Sequence, residues 1–116
     1  MVVKHIDKED SGHVISITQA EIIALKKLIL YVKFTCEESQ SLEYASSYSI
    51  NGFFEKLVEV DCFKEAAKAF YNERNIDNEK FIMHKINVEQ ERSINKLNSE
   101  TLKEIFKEAL YPFKTE

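Results

Sequence analysis

The chain of 116 residues carries 16 Lys+Arg against 20 Asp+Glu, a net charge of −4, with 44% apolar and 31% charged residues. This is a globular composition of one domain's length, too apolar for a disordered chain and too acidic overall for a typical phosphate-neutralising protein. Two glycines and one proline are too few for a turn-rich β sandwich or barrel, and they leave no glycine-rich phosphate loop.

Residues 2–6 and 13–17 are rich in β-branched side chains, and the polar stretch between them ends in Gly12. The pattern predicts a β-hairpin over residues 1–17 that needs a body to pack on, with His5 and His13 facing each other across it. Thr18-Gln19-Ala20-Glu21 then reads as a capping box, with Ile17 and Ile22 at the hydrophobic-staple positions. Apolar residues follow at 22, 25, 29, 32 and 36, and Ile23, Leu28, Leu30, Tyr31 and Phe34 widen the apolar surface. Gln19, Lys26, Lys33 and Glu37 fall on one narrow line, which predicts a central helix whose single wet edge is that line. So much apolar surface on so short a chain also points to a possible homodimer.

Residues 37–51 hold five serines and read as a frayed helix end followed by a loop. Residues 50–74 read as helix in two pieces. Phe53, Phe54, Leu57 and Val58 form the face of the first, and Asp61 caps a second carrying Phe63, Ala66, Ala67 and Phe70. Asn75–Asn78 marks a turn. Length and Glu/Gln/Arg/Lys content favour helix over 79–97, although Ile82, Ile86 and Val88 also suit a strand. The final helix starts at an Asn98 N-cap, buries Leu102, Ile105, Phe106, Ala109 and Leu110, and ends at Pro112. The expected fold is mainly α, four or five helices in one compact bundle with a short N-terminal β-hairpin, or α+β if residues 80–88 form a strand. One domain spans 1–116, with a helical body over 18–116.

Chemistry is sparse. No HxxxH, HExxH or CxxC spacing supports a metal site; His5 and His13 facing each other across the hairpin could be joined by Asp7 or Asp10, but solvent-exposed strand residues are the expected reading. Cys36 and Cys62 lie on apolar helix faces, where a thiol behaves as a small core hydrophobe, and no GxSxG elbow activates a serine. The carboxylate pairs Glu37/Glu38, Glu55/Glu59 and Glu104/Glu108 sit on polar faces near lysines, where nothing desolvates them. No catalytic residue, cofactor or metal is expected. No apolar leader or membrane span is legible, and two cysteines 26 positions apart without a CxxC fit a reducing, cytoplasmic setting, one disulfide being the alternative in an exported chain.

One region stands out. Between Phe34 and Phe63 the acids are Glu37, Glu38, Glu43, Glu55, Glu59 and Asp61, the only base is Lys56, and Tyr44 and Tyr48 lie among them. Acids attract a basic partner over distance, and tyrosines supply rigid contact area with a polar tip. These eight acids and tyrosines are the candidate partner-binding residues. In size, acidity, helix content and tyrosines the chain is similar in general character to small acidic immunity proteins that neutralise bacterial nuclease toxins, with no family motif carrying the likeness. The expected function is therefore a non-enzymatic module that binds a basic protein, in the manner of an inhibitor or immunity protein of a bacterium or phage. A nucleic-acid regulator using Lys26, Lys27, Lys33, Lys96, Lys103 and Lys107 is the alternative, and a small enzyme with its site at a dimer interface is the third.

Overall fold

The computed structural model describes residues 3–6 and 11–115, with residues 3–6 and 11 described as backbone. Strands β1 (Val3–Ile6) and β2 (Ser11–Val14) pair antiparallel. Six helices follow: α1 (Gln19–Phe34), α2 (Ser41–Ala45), α3 (Tyr48–Val60), α4 (Lys64–Tyr71), α5 (Ile76–Arg92) and α6 (Ser99–Leu110). The mainly helical expectation holds, with one helix more than the upper count because the serine-rich stretch contains α2 and the start of α3.

The hairpin sits earlier and looser than expected. Its second strand ends at Val14, Val14 and Ile15 are exposed, and the described hairpin residues make no substantial packing with the helices. The register pairs His13 with Lys4 and His5 with Gly12, so the two histidines are not partners across the ribbon. Most of the expected loop, including Asp7 and Asp10, lies outside the described residues.

Helix starts follow their local chemistry. The Thr18 hydroxyl accepts from the Glu21 amide at 3.1 Å and the Glu21 carboxylate accepts from the Thr18 amide at 2.8 Å, closing the capping box. Ser47, Asn75 and Asn98 cap α3, α5 and α6 in the same way, each side chain accepting from the amide three residues on. Asn75 thus opens a helix at the expected turn, and residues 80–88 are helical, which removes the α+β alternative. That helix stops at Arg92, short of the expected end at residue 97, and leaves Ile94 fully exposed.

Two clusters hold the helices together. Ala45, Ile82, Ile86 and Ala109 form a buried centre, with Phe34, Leu42, Leu102, Ile105 and Phe106 packed around it. The small side chains of Ala45 on α2 and Ala109 on α6 allow close approach at this centre. The second cluster is aromatic: Phe54 meets Tyr71 and Tyr111 edge-on, and Phe113 meets Phe34, Phe70 and Tyr71 at 5.4–5.6 Å between ring centres. The segment after α6 therefore supplies core, and the Lys114 amide pins it to the Tyr71 carbonyl at 3.1 Å. No helix among the described residues is long and apolar enough to cross a membrane.

Candidate partner-binding surface

The orientation of α1 determines the surface. Its polar line faces inward, the reverse of the expected wet edge. Lys33 is fully buried, and its ammonium donates to the carbonyls of Ala45 (2.6 Å), Glu108 (3.2 Å) and Ala109 (3.3 Å). Those carbonyls end α2 and α6, where a helix has acceptors without internal donors and a partial negative charge. Burial lowers the Lys33 pKa to about 7, against the attraction of Glu108. Lys85 of α5 does the same for α1, donating to Val32 and Lys33 carbonyls at 3.3 and 3.4 Å and to the Ser41 hydroxyl at 2.5 Å. Desolvation likewise lowers its pKa.

Two helical turns earlier on the same line, Lys26 pairs with Asp61 at 2.8 Å, and Gln19 donates to the other oxygen of that carboxylate at 2.7 Å. The Phe63 amide also donates to Asp61, and the Gln19 carbonyl oxygen accepts from the Cys62 amide. The Lys26 bond, the Phe63 amide and Gln19 together hold the Asp61 carboxyl down at about 2. Asp61 is 6% exposed. It orders the α3–α4 corner and is not presented to a partner.

With its polar line satisfied inside, α1 turns apolar side chains outward. Leu25, Leu28, Ile29 and Val32 form one wall of a groove of about 470 Å³, and Tyr44, Ile50 and Phe53 form the other, with Ser49 and the stem of Lys33 between. Leu28 is 57% exposed, Tyr44 56% and Phe53 39%. Single exposed apolar residues are ordinary, whereas a contiguous open groove of them marks an interaction surface.

The far flank of α3 is acidic. Tyr48, Glu55 and Glu59 lie seven and four residues apart on one side of that helix. Tyr48 donates to Glu104 of α6 at 2.9 Å, and the Asn51 amide donates to the Glu108 carboxylate at 3.1 Å. Glu104 and its neighbour Glu108 raise the Tyr48 pKa. Burial raises the Tyr111 pKa, and the charges of Glu55 and Glu108 add to the rise. The seam therefore gathers Glu55, Glu104 and Glu108 around two tyrosines. Glu59 is already occupied by Lys68 at 2.7 Å and Lys64 at 3.6 Å.

Gly52 lies on the exposed crest of α3 between groove and seam. A Cβ there meets nothing within 4 Å, and its φ is not positive. Glycine in a helix interior costs about 0.5–1 kcal/mol relative to alanine, and no contact inside the chain requires it.

The remaining predicted residues lie around α2. Glu37 and Glu38 edge a shallow cleft with Ser39, His84 and Arg92, and Glu43 edges another with Glu89 and Ile105. The structure thus places Tyr44 in the groove, gathers Tyr48 and Glu55 at the seam, leaves Glu37, Glu38 and Glu43 on separate edges, and buries Asp61. The sequence reads Leu28 and Phe53 as apolar helix faces and Glu104/Glu108 as a solvated pair, and it marks neither these nor Gly52 as partner-binding residues. The legible signal was the apolar girth of α1, too wide for one buried face.

The other readings fare differently. Lys26 and Lys33 are consumed inside and Lys96 donates to the Gln90 carbonyl, so the six lysines form no common nucleic-acid face. Cys36 is half-buried and Cys62 exposed, both as free thiols, so Cys62 is not a core residue. Ser41 and Lys85 resemble a serine–lysine pair, but the ammonium is engaged by two helix-end carbonyls and the hydroxyl donates to Glu38 at 2.6 Å. Both polar ends serve the backbone. Among the described residues no three His, Cys, Asp or Glu side chains gather as a metal site. Compared with known protein families, curated proteins and solved structures, the chain matches none.

Proposed function

We propose that this protein is a non-enzymatic binding module that captures a basic protein partner across α3. The partner's apolar side chains fill the α1–α3 groove, and its cations reach over Gly52 to Glu55, Glu104 and Glu108. An amphipathic helix with one basic flank has the right form, because a helix laid in a groove presents apolar anchors at i, i+3, i+4 and i+7. The observation that carries this reading is the open apolar groove, made by residues α1 turns away from its own core. An inhibitor or immunity role, neutralising a basic toxin or nuclease in the cytoplasm, is its most concrete form. The acidic flank speeds encounter with such a partner and rejects acidic ones.

The test is selection of a random peptide library on the immobilised protein, counter-selected against the double variant Leu28→Asp/Phe53→Asp. Peptides combining helical apolar spacing with Lys or Arg support the reading. Acidic peptides, or binders that ignore the double variant, overturn it. Sedimentation at two concentrations detects the competing occupant, a second copy, which the same variant would release.

A further inference from the structure

A second cleft, of about 560 Å³, lies between α5 and α6 with the opposite charge on its rim. Its floor is Met83, Ile86, Leu102 and Phe106, and Lys103 and Lys107 stand one helical turn apart along its edge. Neither ammonium has an ion-pair or hydrogen-bond partner among the described residues. The acid on the lining, Glu79, is held by Arg74 through bonds of 3.0 and 2.6 Å, so its charge is compensated. The cleft is within the about 300–1,000 Å³ range of small-molecule sites, which combine apolar walls with a few polar groups that fix orientation.

We propose that this cleft binds a small amphipathic anion, a medium-chain carboxylate being the simplest member of the class. The hydrocarbon chain covers Met83, Leu102 and Phe106, and the headgroup accepts from the Lys103 and Lys107 ammonium groups. The two grooves of the molecule then select opposite charges: the α1–α3 groove favours a cationic flank, and the α5–α6 cleft an anionic head.

Dodecanoate, below its micelle concentration, is titrated into the full chain and followed by NMR, with dodecanol as the uncharged control. The expected result is saturable one-to-one binding with shifts at Met83, Leu102 and Phe106, and weaker binding of dodecanol. The surface variant Lys103→Gln/Lys107→Gln weakens dodecanoate about tenfold and leaves dodecanol unchanged. Equal binding of acid and alcohol, insensitivity to the variant, shifts confined to Leu28 and Phe53, or no binding at all each overturn the proposal.

Discussion

Lys33 shows how one side chain reverses the reading of a helix. Lysines at positions 26 and 33, with Gln19, look like a solvated stripe because charge on a helix normally faces water. The demand that turns them inward comes from elsewhere: the last carbonyls of α2 and α6 need donors, and Asp61 at the end of α3 needs a cation. None of this is written in α1's own residues. The consequence is measurable. Lys33 titrates at about 7 when folded, below its ordinary 10.5, so between those values the unfolded chain binds the extra proton. Stability therefore rises with pH from about 7 up to the ordinary value of 10.5, and Lys85 adds a rise of the same sign. Urea denaturation across that window should show the slope, and Lys33→Met should flatten it while costing roughly 2–3 kcal/mol through the orphaned carbonyls. Asp61 acts with the same sign in an acid window. Its carboxyl is lowered from 3.8 to about 2, so its contribution is present above 3.8 and is lost as pH falls toward 2. Asp61→Asn should destabilise by roughly 2–3 kcal/mol and remove that acid sensitivity when the urea series is extended through the interval from 3.8 down to about 2.

Helix boundaries were legible wherever the sequence carries its own punctuation. The Thr18 box and the Asn98 cap are local hydrogen-bond patterns, complete within four residues, and both appear as read. The five-residue α2 was not legible, because Ser41 and the serines flanking the helix favour turns and its stability comes from Ala45 at the core and from Lys33 on its last carbonyl. The hairpin register was also beyond reach, since a one-residue slip in so short a ribbon leaves the letters of the sequence unchanged and moves every side chain to the other face. The α3 crest yields a prediction that needs no partner. Gly52→Ala should raise stability by about 0.5–1 kcal/mol, read as a higher midpoint in thermal melts. A bulky Gly52→Phe should leave the fold intact, since a Cβ meets nothing within 4 Å, yet weaken peptide binding by standing on the crest the partner must cross.

At the scale of the whole molecule, composition gave one number, −4, and the fold distributes it. The acids Glu104 and Glu108 of α6 meet Tyr48 and Asn51 of α3 at one seam, while Lys103 and Lys107 stand over the α5–α6 cleft on another side of α6. The acidic segment between residues 37 and 61 was visible as a run of letters. Its division into a seam, two separate edges and one buried carboxylate depended on how six helices pack. The groove beside α3 depended on α1 facing the other way. The central claim is that this groove is where a basic partner docks. Its most direct test is calorimetric titration of a selected basic amphipathic peptide into the wild-type protein and the Leu28→Asp/Phe53→Asp variant. The account predicts that the variant melts at or near the wild-type temperature and binds the peptide at least about tenfold more weakly. Unchanged affinity in a folded variant would contradict it.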